Sequence, residues 1–166
     1  MSFDVTANVV APATLADYTR SELIVPRLRE RDTAGIISEL SQALQREGSV
    51  ADVLPFYHAA LNRELLTNSA LDCGMAFPHA RLNGIKQLRF ALGRSPEPVI
   101  CGGKGAAPVR LIFLIAVPAT DAAGYLHLLS SLARMAQSPP LFAELLSAQT
   151  ANAMLAVLSK IGIRQA

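Results

Sequence analysis

The chain has 166 residues, 51% of them hydrophobic and 17% charged, which is the size and composition of one compact domain and excludes disorder as the bulk state. Its 15 Lys plus Arg against 13 Asp plus Glu leave a formal net charge of +2, and no basic run gathers that charge into a stripe that would track nucleic-acid phosphates. The longest apolar stretch, residues 111–118, is far shorter than the ~20 residues of a membrane helix, and no basic leader opens the sequence, so a cytoplasmic protein without membrane insertion is expected.

Residues 1–20 show no sustained period and are broken by Pro12, which predicts a loosely attached arm with at most one short helix, around residues 14–20. The β-branched run from Glu22 to Leu28 contains Pro26 and reads as a short strand at a sheet edge. A helix follows, with Ile36, Ile37, Leu40, Ala43 and Leu44 at helical spacing, Asp32 or Thr33 as cap and Gly48 just past its end. A second helix is predicted over residues 52–65, with Val53, Phe56, Tyr57, Ala60 and Leu61 inward and Arg63 and Glu64 in its last turn. Strands are expected at residues 75–78, 88–93 and 109–117, the last so uniformly apolar that it belongs in the middle of a sheet. Turns at Asn83-Gly84, at residues 95–98 and at residues 101–105 separate them. Helices close the chain at residues 123–137, 139–147 and 150–161, with Thr150 capping the last. Helices first, strands in the middle and helices last favour an α/β protein: a three-layer α/β/α sandwich on a mixed sheet, with residues 21–166 as one domain.

Gly102-Gly103-Lys104-Gly105 looks like a phosphate loop but lacks the Walker spacing, because Pro98 stands where a glycine is required and Gly105 where Ser or Thr is. A hairpin turn is the better reading. Cys73 and Cys101 form no C-x-x-C and read as free thiols, so no metal site is indicated. Of the three histidines, His58 falls off the apolar face of its helix and reads as a surface residue. His79 follows Phe77-Pro78, whose fixed φ presents the imidazole rigidly. His127 lies early in its helix, on an edge shared with Ser131 and Arg134, away from an expected buried stripe of Tyr125, Leu129, Leu132, Ala133 and Ala136.

The segment Leu61-Asn62-Arg63-Glu64-Leu65-Leu66-Thr67-Asn68-Ser69-Ala70-Leu71-Asp72-Cys73-Gly74-Met75-Ala76-Phe77-Pro78-His79-Ala80-Arg81 resembles the active-site signature of the fructose, mannitol and nitrogen-regulatory class of EIIA domains (type 2) of the bacterial phosphoenolpyruvate-dependent phosphotransferase system (PTS). Residues 108–118 look like the family's central strand and residues 125–134 like its second-histidine helix, so that the likeness covers about residues 20–160. The resemblance implies a three-layer sandwich in which His79 accepts a phosphoryl group from an HPr-like phosphocarrier. It further implies that His127 is the second active-site histidine, Arg63 the phosphate-holding cation, and the loop with Asn68, Ser69 and Gly74 part of the phosphate environment. The implied acceptor is an EIIB domain or a regulatory target protein, with nitrogen regulation slightly favoured over sugar-permease supply, and no cofactor or metal is implied. Ala70 and Asp72 stand where the family loop usually has glycine, which makes Asp72 and its neighbour Cys73 candidate modulators. A carboxylate near the phosphate is unfavourable unless it points away or orients an imidazole. The competing reading is an EIIA-like binding module without efficient phosphotransfer.

Overall fold

A computed structural model describes residue 12 and residues 14–163. Two short 3-10 turns, Leu15–Tyr18 and Ser21–Leu23, lead into strand β1 (Ile24–Val25), followed by helices α1 (Thr33–Glu47) and α2 (Val53–Leu66). Strands β2 (Met75–Ala76), β3 (His79–Leu82), β4 (Arg89–Ile100) and β5 (Pro108–Pro118) come next. Helices α3 (Ala122–Ala136), α4 (Pro139–Ser147) and α5 (Ala151–Leu158) complete the order. The caps read from the sequence are in place: the Asp32 side chain accepts from the Gly35 N–H, Gly48 ends α1 at φ 101°, and the Thr150 hydroxyl accepts from the Ala153 N–H.

The sheet runs β1-β4-β5-β2, with β3 also paired to β5. It is mixed, since β4 and β5 are antiparallel while β1 lies parallel to β4, and β2 and β3 parallel to β5. The period-2 alternation of β5 divides the core into two layers. Leu111, Phe113, Ile115 and Val117 pack with Leu128, Leu132, Leu145 and Met154 of α3, α4 and α5, whereas Ile112, Leu114 and Ala116 pack with Ile36, Leu40, Phe56 and Ala60 of α1 and α2. This is the expected three-layer sandwich, with β5 central.

Several features differ from the sequence reading. The arm is packed from Thr14 onward: Leu15 and Tyr18 are core residues and the Leu15 N–H donates to the Ile161 carbonyl at 3.0 Å; residues 1–11 and 13 lie outside the described residues. The expected turn at residues 95–98 lies inside β4, as a register irregularity between Arg94 and Val99. Pro96 and Pro98, which have no N–H to give a ladder, fit at such a bulge. The strand expected at residues 75–78 is interrupted by Phe77-Pro78 and resumes in β3 without a change of register, Met75 standing opposite Leu111 and His79 opposite Ile115. Finally, α3 buries Leu128, Ser131, Leu132 and Met135, while Ala133 is exposed, so the helix is rotated from the orientation expected.

Candidate active site

The α2 row Phe56, Ala60 and Glu64 recurs at four-residue spacing and faces inward, which buries the Glu64 carboxylate to 1% exposure. It accepts from the Ser69 backbone N–H at 2.7 Å and from the Ser69 hydroxyl at 3.0 Å. That hydroxyl in turn accepts from the Phe77 N–H at 2.7 Å. Burial pushes the Glu64 carboxyl upward, and the two Ser69 hydrogen bonds oppose the shift. The sequence reading gave Glu64 no role; the signal that finds it is the Phe56-Ala60-Glu64 row, a carboxylate on an otherwise apolar face.

Ser69 thus ties the end of α2 to the peptide that precedes His79. The Pro78 carbonyl accepts from the Ile115 N–H at 2.9 Å, fixing the same segment to β5. His79 opens β3, an outer strand, and strand alternation turns it toward the α3 side while Ala80 joins the α1–α2 core. Its Nδ1 lies 3.3 Å from the Phe77 carbonyl oxygen. A carbonyl only accepts, so Nδ1 carries the proton in this contact and Nε2 keeps the lone pair. Burial lowers the His79 pKa, the Phe77 carbonyl opposes, and the positive charge of Arg63 lowers it further. The ring is therefore neutral at neutral pH.

A cleft of about 460 Å³ opens over this ring where the two helical layers meet at the sheet edge. It is lined by Ala59 and Arg63 of α2, His79, Ala80 and Arg81 of β3, Val117 of β5, and Ala122, Tyr125 and Leu126 of α3. Arg81 is held in place by donating to the Ala119 carbonyl at 3.1 and 2.7 Å. Arg63 and His79 are thus brought together as the sequence suggested. His127 does not line the cleft: along α3 it is turned about 100° from Leu126 and about 200° from Tyr125. His127 is half-buried on the other edge, where its carbonyl accepts from the Ser131 hydroxyl at 3.0 Å. The α3 ring set against the imidazole is Tyr125, with centroids 5.2 Å apart and planes inclined by 37°.

The loop residues Asn68, Ser69 and Gly74 have structural partners of their own. Ser69 is committed to Glu64 and Phe77. Gly74, at φ 100°, closes a turn by donating to the Leu71 carbonyl, and its own carbonyl accepts from Arg110 and Leu111. Asn68 is half-buried where a Cβ on Gly102 would stand 2.7 Å from its own Cβ. A Cβ on Gly103 would fall 2.3 Å from the Leu65 carbonyl, so Gly102 and Gly103 serve close packing of the β4–β5 hairpin on α2 and the loop after it, whereas Gly105 stands in open space at φ 84°. Asp72 and Cys73 are exposed in the turn before β2 and do not line the cleft; the charge acting on His79 is that of Arg63, opposite in sign to Asp72. Cys101 is buried, its thiol pushed up to about 12 by burial and by the Glu64 charge. Among the described residues no three His, Cys, Asp or Glu side chains converge as metal ligands.

Residues 17–161 match the family described as phosphoenolpyruvate-dependent sugar phosphotransferase system, EIIA 2. The chain belongs to this family. The EIIA domain is 27% identical over 135 residues to a fructose-specific EIIABC component of the PTS from Bacillus subtilis, covering 80% of the chain but only 21% of that longer protein. Its fold matches that of the nitrogen regulatory protein IIA-Ntr from Neisseria meningitidis with a TM-score of 0.71 and 29% identity, over 86% of this chain and 97% of that one. It matches the Escherichia coli enzyme IIAMTL in complex with phosphorylated IIBMTL with a TM-score of 0.71 at 19% identity, over 86% of this chain and 99% of that one, a likeness of fold. EIIA domains of this family act in phosphotransfer, and that complex shows one engaging an EIIB domain. No helix among the described residues is long and apolar enough to cross a membrane.

Proposed function

We propose that this EIIA domain takes a phosphoryl group from an HPr-like phosphocarrier onto His79 Nε2 and relays it, in the cytoplasm, to an EIIB domain or displays it to a regulatory target protein. The observation that carries this reading is the Nδ1 contact with the Phe77 carbonyl, which leaves a neutral imidazole with its lone pair on Nε2 in a cleft shared with Arg63. Attack by Nε2 on phosphorus forms the new N–P bond as the donor's N–P bond breaks, its electron pair returning to the donor ring. A donor ring protonated on its other nitrogen leaves as neutral imidazole. The phosphorylated His79 ring keeps its Nδ1 proton, and the Phe77 carbonyl faces the positive charge that results. The Arg63 guanidinium holds phosphoryl oxygens through a planar fork of donors. Such a reaction depends mainly on positioning and charge, which these groups supply.

Nitrogen-type regulation is supported by the 29% identity with IIA-Ntr across most of both chains. The binding-module reading rests on the altered loop with Ala70 and Asp72, neither of which lines the cleft. Incubation with phosphoenolpyruvate, enzyme I and HPr from the same organism, followed by intact mass under alkaline conditions, tests the proposal. One added phosphoryl group is expected, and none in His79→Ala. A mass addition that survives in His79→Ala, or none in the parent, defeats it.

A further inference from the structure

His79 shares its cleft with an aromatic ring that also packs against the core, that of Tyr125. Tyr125 is half-buried, its ring centroid lies 5.2 Å from that of His79, and it lines the cleft together with Arg63. Its phenol receives and gives no hydrogen bond among the described residues, whereas the buried Glu64 and half-buried Ser69 behind the His79 segment are engaged with each other and with the Phe77 N–H. A cleft-lining phenol hydroxyl without a protein partner beside a nucleophile has a donor available for a ligand.

We propose that Tyr125 is the second hydrogen-bond donor to the phosphoryl group at His79, filling on α3 the role that sequence resemblance gives to His127. The inference rests on His79 being the phosphoryl acceptor. In it the phenol O–H donates to a phosphoryl oxygen while charge develops, Arg63 takes another, and the phenol proton stays on its oxygen throughout, so atoms and charge balance as in the transfer itself. Burial raises the Tyr125 pKa and the nearby Arg63 charge opposes that rise, so the phenol keeps its proton across the neutral range. The charged or titratable groups that share the cleft with it are Arg63 from α2 and His79 and Arg81 from β3. At the start of α3 itself, Asp121 is engaged as N-cap with the Gly124 N–H at 2.9 Å. A phenol donor does not titrate where a second histidine would. The transfer rate should therefore follow a single ionisation on this protein, that of His79.

Tyr125→Phe removes the hydroxyl and keeps the ring, so the fold and the His79 titration should be unchanged. Phosphorylation is measured with two donors: phospho-HPr, made from phosphoenolpyruvate and enzyme I, and phosphoramidate, a small donor that needs no protein docking. The expected result is a fall of about 10- to 100-fold with both donors, in line with loss of one donor to a charge-developing transition state. Tyr125→His should restore part of the rate and add a second ionisation to its pH profile, while His127→Ala should stay within about 2-fold of the parent, as expected for a half-buried residue that does not line the cleft. Loss with phospho-HPr alone would make Tyr125 a docking residue and overturn the proposal. An undiminished Tyr125→Phe rate in a parent that is phosphorylated on His79 would overturn it and leave the proposed function standing. A parent that neither donor phosphorylates on His79 would remove both.

Discussion

At the scale of single residues, the site works because three short-range facts coincide at His79: a proline before it, a carbonyl two residues back that accepts a hydrogen bond from its Nδ1–H, and a guanidinium that disfavours further protonation. Arg63 is itself exposed at the end of α2, so its worth lies in geometry toward a ligand rather than in stability. Arg63→Lys should therefore melt at the parent temperature but transfer more slowly by an order of magnitude or more, since an ammonium cannot reproduce the bidentate fork. An unimpaired Arg63→Lys protein would refute the clamp. The lowered His79 pKa sets a pH dependence whose sign is fixed. Above the ordinary histidine range the ring is neutral in folded and unfolded protein alike; as pH falls, the unfolded chain binds the proton first, so stability contributed at this position is lost through that range and down to the lowered folded value. Phosphorylation should be flat near neutral pH and fall only on the acid side of the ordinary histidine value. A titration of the His79 ring by NMR and the pH–rate profile should report the same ionisation.

At the scale of elements, two buried polar ties decide how α2, β4 and α4 are held. Ser69 joins Glu64 of α2 to the Phe77 N–H, so Ser69→Ala leaves a carboxylate short of a partner and a backbone donor unpaired. A loss of about 1–3 kcal/mol is expected from such an orphaned buried group. Slower phosphotransfer should accompany it, because the loosened peptide is the one that presents His79; equal rates with lowered stability would show the tie to be purely structural. Arg94, buried in β4, donates to the carbonyls of Pro26, Leu145, Leu146 and Ala148, the last three at the C-terminal end of α4. A guanidinium there satisfies carbonyls that a helix end leaves unpaired and faces the negative pole of the helix. Arg94→Ala should cost about 3 kcal/mol, since one buried and three part-buried acceptors lose their donor together. In a domain of this size that corresponds to a fall in Tm of roughly 6–12 °C, measurable by thermal unfolding. A shift of a degree or less would show that water replaces the guanidinium without loss.

At the scale of the whole molecule, the sandwich matters because its sheet ends at β3. Helices from both layers reach the free edge, so α2 delivers Arg63 and α3 delivers Tyr125 to one cleft although they belong to opposite layers. The charged side chains lining that cleft, Arg63 and Arg81, are both cationic. Capture of a phosphorylated donor should then weaken with ionic strength, several-fold in rate between about 50 and 500 mM salt, as screening shortens the reach of the arginines. A salt-independent rate with phospho-HPr would show that apolar contacts, such as those available to the exposed Leu126 at the cleft rim, govern docking.

Sequence alone determined the parts of this protein that local chemistry specifies. Asp32, Gly48 and Thr150 mark helix ends because their own side chains or φ values satisfy orphaned backbone groups. The apolar run of β5 marks a strand covered on both faces, and Pro78 marks His79 as a rigidly presented ring. The tertiary structure decided what depends on rotation and register. Helix α3 is apolar on more than one side, with Tyr125, Leu126, Leu128, Leu129, Leu132 and Met135 spread around it, so periodicity left its orientation open. Packing of Leu128, Leu132 and Met135 against the sheet settled it, and one rotation both brought Tyr125 to His79 and carried His127 away. The same holds for Glu64: its charge suggested solvent until the α2–sheet contact buried it, where only the Ser69 hydrogen bonds, made by residues five apart across a helix end, make that burial tolerable.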